Sequence, residues 1–202
     1  MAFLDFGPLH FLLFNKRKNM PLSYYSPAEW DKILTFAATR ETPFLVVLLD
    51  RVRQKFEEFR MGFPGAKIYY AVKANPGDEL LALLRDLGSY FDIASIYELD
   101  QVLALGVAPD RVSFGNTIKK SRHIREAYDK GVRLFATDCE ADVRNLAREA
   151  PGSRIFFRLL MDAVTSDSDW PLSRKFGCQP RMLTELVSLA ADLGLDPHGI
   201  SF

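Results

Sequence analysis

Short apolar runs alternate with amphipathic stretches along most of the chain. The apolar runs predict strands at Lys67–Val72, Tyr90–Ile93, Val112–Phe114, Leu134–Ala136, Ile155–Leu160 and Gly199–Phe202. Between them, apolar residues recur at helical spacing and predict helices at Glu79–Leu87, Ile96–Leu105, Ser121–Lys130, Glu140–Glu149 and Met182–Leu193. The first five strands recur at intervals of about 22 residues. This regular strand-plus-helix repeat predicts an α/β protein with a parallel sheet and favours a (β/α)8 barrel over a doubly wound sheet.

The chain before this repeat predicts three further elements. Ser26 is predicted to cap a helix that runs to about Thr39 and has a proline in its first turn. The apolar run Phe44–Leu49 predicts a strand that ends at Asp50. A further amphipathic helix is expected at Arg51–Arg60.

Residues 1–22 differ from the rest and are predicted to be a disordered leader, which leaves 23–202 as the barrel domain. The apolar run Phe11–Phe14 precedes the basic run Lys16–Lys18, which is the reverse of the order in a secretory signal. A start of translation at Met20 and a contact with a membrane surface are the alternatives. No apolar run approaches the ~18 residues that would span a bilayer.

Composition excludes several classes of protein. The 202 residues include 26 basic and 26 acidic residues, a balance that argues against a general nucleic-acid binder. Hydrophobic residues make up 48%, which is ample for a core and argues against disorder. The two cysteines, Cys139 and Cys178, form neither a disulfide framework nor a metal-binding motif. We therefore expect no metal site and a reducing, cytoplasmic location.

Lys73 stands at the end of the first barrel strand, between Val72 and Ala74. Lysine ammonium groups are almost never buried without a partner. One interpretation is a lysine whose stem packs while its charged head reaches water. The other is an amine that is partly desolvated, so that its pKa falls and it can condense with a carbonyl.

The segment around Lys73 favours the second interpretation. Tyr69-Tyr70-Ala71-Val72-Lys73-Ala74-Asn75 resembles the cofactor-lysine strand of the pyridoxal-phosphate decarboxylases that act on ornithine, lysine, arginine and diaminopimelate, the alanine-racemase-like fold class. The resemblance implies that Lys73 is catalytic and binds pyridoxal 5'-phosphate covalently. It continues from about Ser23 to Phe202, through several segments in the family's order.

Functional side chains of such barrels project from the carboxyl ends of the strands. At these ends the sequence has Lys73, Asp92, Asn116, Asp138 and Arg158. Asn116 and Asp138 are interpreted as helix caps, as is Ser121.

The segment Phe91–Leu99 also resembles this family, and the resemblance implies that Asp92 lies beside the cofactor and the lysine. A nearby carboxylate favours a protonated nitrogen, so Asp92 is predicted to be catalytic and cofactor-binding. Glu98 is expected to support it, with a helix-surface glutamate as the alternative. Arg158 matches the arginine near the cofactor ring; an exposed ion pair at a strand end is its alternative.

The stretch Asp169–Cys178 resembles a family segment near the active site and the subunit interface, as Gly115–Lys120 resembles another. Both look closest to the bacterial ornithine/lysine enzymes. Lys175 is therefore an interface candidate in an expected homodimer with shared active sites. Gly177 is predicted to form a turn that a side chain would block.

Other parts of the family's pattern do not appear in the sequence. These are the histidine that stacks on the cofactor ring, the phosphate-binding glycine-rich loop, the acid at the ring nitrogen and the C-terminal β-domain with its catalytic cysteine and aspartate. Only about six strands are predicted where a closed barrel needs eight. We therefore expect the front portion of a longer protein, inactive by itself.

The resemblance implies decarboxylation of ornithine or lysine, or of both, to diamines in polyamine biosynthesis. Three alternatives stay open: a single-domain pyridoxal-phosphate carrier, a catalytically dead relative that binds a regulatory partner, and an amino-acid racemase of the same fold.

Overall fold

The computed structural model describes residues 25–160 and 176–202. The chain divides into two compact units, one that ends at Leu48 and one that begins at Leu49. The predicted leader at 1–22 and the interface candidate Lys175 lie outside the described residues, so both stay predictions.

The first unit contains one described helix, α1 (Pro27–Ala37). Ser26 caps it as predicted: its Oγ accepts a hydrogen bond from the Glu29 backbone N–H, and a Glu29 carboxylate oxygen accepts one from the Ser26 N–H. This reciprocal pair satisfies two of the donors that a helix start leaves unpaired.

The strand predicted at Phe44–Leu49 is wrong. Residues 44–48 form no strand, and the next helix already begins at Leu49, so Asp50 lies in its first turn. An apolar run becomes a strand only where a neighbouring backbone pairs with it, and no strand in the described part of the chain does so. Leu45 is 78% exposed.

The second unit alternates helices with parallel strands. Its helices are α2 (Leu49–Gly62), α3 (Asp78–Asp86), α4 (Ile96–Ala104), α5 (Ser121–Asp129), α6 (Glu140–Glu149) and α7 (Pro180–Asp192). Its strands are β1 (Tyr69–Ala71), β2 (Tyr90–Ile93), β3 (Val112–Phe114), β4 (Leu134–Thr137), β5 (Arg154–Arg158) and β6 (Asp196–Ser201). Every neighbouring pair is parallel, and the strands lie in sequence order from β1 to β6. The predicted parallel α/β order is confirmed.

Strands β1, β4, β5 and β6 differ from their predicted bounds by one to three residues. The first strand ends at Ala71 rather than Val72, because Val72–Ala74 form a 3-10 turn. The last strand begins at Asp196 and not Gly199, since Asp196 and Pro197 already pair with β5. No helix in residues 25–160 and 176–202 has the length and apolar character needed to cross a membrane.

The sheet has two chemically different faces. On the face that packs against the helices, here called the outer face, the largest fully buried side chains are Phe91, Phe114, Phe135 and Phe157. Successive strand residues point to opposite faces. The other face, here called the inner face, therefore contains Asp92, Ser113, Ala136, Phe156 and Arg158. Side chains of the outer face form part of the hydrophobic core, whereas the inner face contains the polar side chains Asp92, Ser113 and Arg158.

Candidate active site

Lys73 lies in the 3-10 turn that directly follows β1. Its neighbour Val72 is completely buried, whereas Lys73 itself is exposed. The loop beyond it is fixed by two hydrogen bonds: the Tyr70 hydroxyl donates to the Asn75 carbonyl at 3.1 Å, and the Asn75 side-chain oxygen accepts from the Gly77 N–H at 3.0 Å. The amine therefore stands on a fixed backbone and is open to a ligand. The partial desolvation that the sequence predicted for Lys73 is not found.

Asp92 lies on the inner face of β2, opposite Ser113 of β3. The Ser113 hydroxyl donates to Asp92 Oδ1 at 2.7 Å. Burial raises the pKa of the Asp92 carboxyl, and the Ser113 hydrogen bond and the positive charge of Lys73 oppose this rise. The charge of Glu98 raises the pKa further, and that of Arg158 lowers it. The carboxylate of Asp92 thus lies within electrostatic reach of both predicted cationic partners.

Arg158 ends β5, and its guanidinium carbon lies 5.2 Å from the centre of the Phe176 ring. The Arg158 carbonyl accepts a hydrogen bond from the Cys178 N–H at 2.9 Å. The segment that begins at Phe176 therefore runs beside the end of β5. A cation over an aromatic face is attracted by the ring, so Phe176 restricts where the guanidinium can lie.

Gly177 makes the turn predicted for it. Its φ of +104° is unfavourable for other residues, and a Cβ there would lie 2.6 to 2.8 Å from the backbone of Leu159 and Leu160. The Gly177 N–H donates to Asp138 Oδ2 at 2.9 Å. Asp138 is therefore no helix cap, contrary to the prediction: Cys139 occupies the cap position of α6, and the Asp138 carboxylate holds the Gly177 loop.

The predicted caps at Asn116 and Ser121 are also wrong. Helix α5 begins at Ser121, its cap residue is Lys120, and the Ser121 hydroxyl donates to the Glu149 carboxylate at 2.9 Å. The Asn116 side chain donates to the Ala94 carbonyl at 3.3 Å and accepts from a backbone N–H two residues on. Asn116 therefore ties the loop after β3 to the loop after β2.

Glu98 is half-buried in the first turn of α4. The cap residue Ser95 accepts from the Glu98 N–H, and the Glu98 carboxylate accepts from the Ala94 N–H at 2.5 Å. Glu98 thus closes the loop after β2 while adding negative charge near Asp92. Its supporting role in chemistry stays a prediction.

Sequence reasoning assigned no role to Lys119, whose side chain is completely buried in the loop after β3. Its ammonium donates to Asp142 Oδ2 and to the Ala136 carbonyl, both at 2.7 Å, and to the Asn116 carbonyl at 3.0 Å. Burial lowers the pKa of Lys119 and raises that of Asp142, and their mutual attraction opposes both shifts. In the sequence, Lys119 next to Lys120 looks like part of an exposed basic pair, and no local signal marks it as buried.

Ser113 and Gly115 were also missed, although both contact Asp92. One signal could have indicated Ser113: the repeat aligns neighbouring strands about 22 residues apart, and Ser113 stands 21 residues after Asp92. The glycine had no such signal, because the carboxylate comes to lie above it only in the folded chain.

An exposed amine and a guanidinium thus stand at the carboxyl ends of β1 and β5, within electrostatic reach of a largely buried carboxylate at the end of β2. The amine can condense with an aldehyde, and the guanidinium can bind an anionic oxygen. This donor set fits pyridoxal phosphate, which has both groups. The part of the chain that the structure describes contains no cluster of three or more His, Cys, Asp or Glu side chains placed to bind a metal ion.

Six parallel strands in sequence order, with polar residues at their carboxyl ends, are typical of a barrel-type domain that binds its ligand at that edge, whereas a doubly wound sheet reverses its strand order. The family model described as pyridoxal-dependent decarboxylase, pyridoxal binding domain, matches residues 49–202. The chain belongs to this family.

Two relatives and one solved structure illustrate the similarity. The lysine/ornithine decarboxylase of Selenomonas ruminantium is 35% identical over 85% of this chain and 43% of that protein. The ornithine decarboxylase of Neurospora crassa is 36% identical over 80% of this chain and 33% of that protein. The crystal structure of an SrLDC mutant in complex with PLP superposes with a TM-score of 0.78 at 34% identity, over 87% of this chain and 44% of that one.

These comparisons confirm the predicted fold class and family. The chain spans less than half the length of these relatives. The bacterial and the fungal enzyme are equally similar to it, so the predicted likeness to bacterial enzymes is not distinctive.

Proposed function

We propose that this chain is the cofactor-binding part of a pyridoxal-phosphate-dependent decarboxylase that converts ornithine, lysine or both to diamines for polyamine biosynthesis. One observation supports this most: Lys73, Asp92 and Arg158 stand at the carboxyl ends of three strands in a domain of the pyridoxal-binding family. The relatives named as ornithine and lysine decarboxylases support the substrate class.

In this proposal Lys73 would hold the cofactor through Nζ, because an amine can condense with an aldehyde with loss of water. Its exposure on a fixed turn leaves Nζ accessible to the cofactor and to an incoming amino-acid substrate.

Asp92 keeps the lysine-derived nitrogen protonated. Its carboxylate lies within electrostatic reach of Lys73 in a partly desolvated position, where a negative charge acts more strongly than in water. Arg158 binds an anionic oxygen of the cofactor, since a guanidinium stays charged under all working conditions.

When bound, pyridoxal phosphate supplies an electron sink for the electron pair that remains when the substrate's α-carboxylate leaves as CO2. That chemistry also needs an acid at the ring nitrogen, and we assign no residue of this chain to it. We therefore propose that the 202 residues alone bind the cofactor but release no diamine.

We also propose a homodimer with shared active sites, in which Lys175 lies at the interface, and a cytoplasmic location. Both cysteines are free thiols, one exposed and one buried, which is compatible with a reducing compartment.

A spectroscopic assay of the purified chain tests this function. Pyridoxal phosphate is added, followed by lysine, ornithine or, as a control, norleucine, which lacks the terminal amine. We expect visible absorbance of bound cofactor, a spectral change with the two basic amino acids, and no diamine by chromatography. No absorbance above free cofactor contradicts the proposed function, and diamine formation contradicts the inactivity of the chain alone.

A further inference from the structure

The carboxylate of Asp92 does not project freely from β2 but lies against the neighbouring strand β3. Two residues of that strand and its loop contact it, Ser113 and Gly115, and neither is among the residues assigned above to cofactor chemistry.

Ser113 fixes one carboxylate oxygen. It pairs with Asp92 in the register of β2 and β3, it is only 4% exposed, and its hydroxyl donates to Oδ1 at 2.7 Å. A hydrogen bond to a charged acceptor is shorter and stronger than one between neutral groups. Because Ser113 sits on a paired strand, its hydroxyl is a rigidly placed donor.

Gly115 provides the space that the carboxylate occupies. A Cβ on Gly115 would lie 2.2 Å from Asp92 Oδ1, 2.5 Å from Oδ2 and 2.6 Å from Cγ. Its φ lies outside the left-handed region, so backbone conformation is not the reason for glycine here. The Gly115 N–H donates to the Ile93 carbonyl at 3.0 Å, which holds its Cα directly beneath the carboxylate.

We propose that Ser113 and Gly115 are positioning residues that together fix where the negative charge of Asp92 lies for cofactor binding. Ser113 pulls the carboxylate toward β3, and Gly115 leaves free the space that the carboxylate then occupies. This inference rests on the proposed function, in which Asp92 stabilises the protonated nitrogen of Lys73.

The proposal makes a specific statement about protonation. Among the described residues, the charged groups that act on Asp92 include Lys73 after β1, Glu98 on α4 and Arg158 on β5, and the titratable Tyr69 of β1 also lies within electrostatic reach. Ser113 is neutral, and its hydrogen bond favours the ionised carboxylate over the acid. Loss of the hydroxyl therefore makes Asp92 a weaker acid while those three charges stay in place.

The test compares Ser113→Ala, Ser113→Thr and the wild-type chain. Ser153→Ala is the matched control, because Ser153 is completely buried but precedes β5 at the opposite end of the strands. Without cofactor, carboxyl NMR titration reports Asp92 directly. With cofactor, borohydride reduction followed by mass spectrometry measures capture by Lys73 as a function of pH.

We expect Ser113→Ala to make Asp92 about a tenfold weaker acid, from the usual strength of a hydrogen bond to a charged group. The acidic limb of the capture profile then moves to higher pH by about one unit, while capture at high pH equals that of the wild type. Ser113→Thr restores the profile, and Ser153→Ala leaves it unchanged. A merely structural role would lower capture equally at every pH.

Gly115→Ala tests the second half of the proposal. The new methyl group forces the carboxylate away from Ser113, so we expect the acidic limb of the capture profile to move to higher pH, as in Ser113→Ala, with no further shift in the double variant Ser113→Ala/Gly115→Ala. Gly62→Ala is the control, because a Cβ there meets nothing within 4 Å and its φ also lies outside the left-handed region.

The outcomes separate the two claims. If the wild-type chain does not capture pyridoxal phosphate on Lys73, the proposed function is wrong and the inference falls with it. If the wild type captures it, but Ser113→Ala or Gly115→Ala has the wild-type pH profile, only the inference is overturned.

Discussion

Asp92 shows how one side chain can oppose stability and serve function. Its carboxyl is largely buried, and burial raises its pKa even though a serine and two cations favour the charged form. The folded chain therefore retains the Asp92 proton over a pH range in which the unfolded chain has lost it. Stability from this group is present at low pH and decreases as the pH rises from the unfolded pKa through the higher folded pKa.

Asp92→Asn should therefore stabilise the chain at neutral pH. Asparagine keeps the shape and can still accept the Ser113 hydrogen bond, but it has no charge to bury. We expect the melting temperature at pH 7 to rise by a few degrees and the gain to disappear below about pH 4. Differential scanning calorimetry at both pH values measures this.

The same variant should lose cofactor binding, since the charge beside Lys73 is gone. The gain in melting temperature is the difference between Asp92→Asn and the wild type. A gain that is no larger at pH 7 than at pH 4 would contradict this prediction and show that the surrounding cations fully offset the burial of Asp92. Ser113→Ala is no substitute here, because it keeps the carboxylate and removes only its donor.

At the level of elements, the loops at the carboxyl ends of the strands are bonded to one another in sequence. Asn116 ties the loop after β3 to that after β2, and Lys119 ties it to β4 and α6. Asp138, after β4, then binds Gly177 beside β5. The loops after β2, β3 and β4 are therefore each bonded to a neighbouring loop or strand at the edge that presents the candidate site.

Lys119→Met should be strongly destabilising. It removes one partner of a buried ion pair and leaves the Asp142 carboxylate, only 7% exposed, without its cation. Breaking such a pair costs about 3 to 5 kcal/mol, which we expect in the free energy of unfolding from urea denaturation. The double variant Lys119→Met/Asp142→Leu should recover most of this loss.

Arg144→Met is the matched control. Arg144 pairs with Glu140 on α6 at 2.8 Å, but the two side chains are 54% and 62% exposed, so its loss should cost less than about 1 kcal/mol. Similar losses for the buried and the exposed pair would contradict the role given to Lys119.

Gly177→Ala should perturb the loop beside Arg158 by steric overlap. The methyl group would collide with the backbone of Leu159 and Leu160 in a strained conformation, so we expect a loss of about 1 to 3 kcal/mol and weaker cofactor binding. Gly194→Ala separates the two causes, since Gly194 has φ +76° but open space around it. Equal losses for the two variants in urea denaturation would show that strain alone matters.

On the scale of the whole molecule, the sequence predicted the strand-helix repeat well, because a parallel sheet covered by helices needs an apolar run every repeat. Tyr90–Ile93 and Val112–Phe114 have the predicted bounds. The strand predicted at Phe44–Leu49 is wrong because an apolar run indicates only that a segment tends to be buried or paired. It does not identify the segment that would pair with it. Strand pairing is a property of two segments, and one segment does not determine it.

The same distinction applies to the candidate site: positions at the ends of strands were predictable, and contacts between separate segments were not. Lys73, Asp92 and Arg158 were expected near one another because the carboxyl ends of parallel strands meet at one edge, and the family resemblance singled them out among the residues there. The contacts of Asn116, Asp138 and Lys119 were not, because a polar residue after a strand can equally cap its own helix or bind a neighbouring loop. Only the three-dimensional arrangement distinguishes these two uses.

The most direct test of the account is the position of covalently bound cofactor. The purified chain is incubated with pyridoxal phosphate, reduced with borohydride and digested, and the modified lysine is located by mass spectrometry. Lys67, which lies over the Tyr90 ring, and the buried Lys119 serve as internal comparisons. We predict that Lys73 is the modified lysine, and that Lys73→Ala loses both this modification and the visible absorbance. Modification of another lysine, or unchanged absorbance in that variant, would contradict the account.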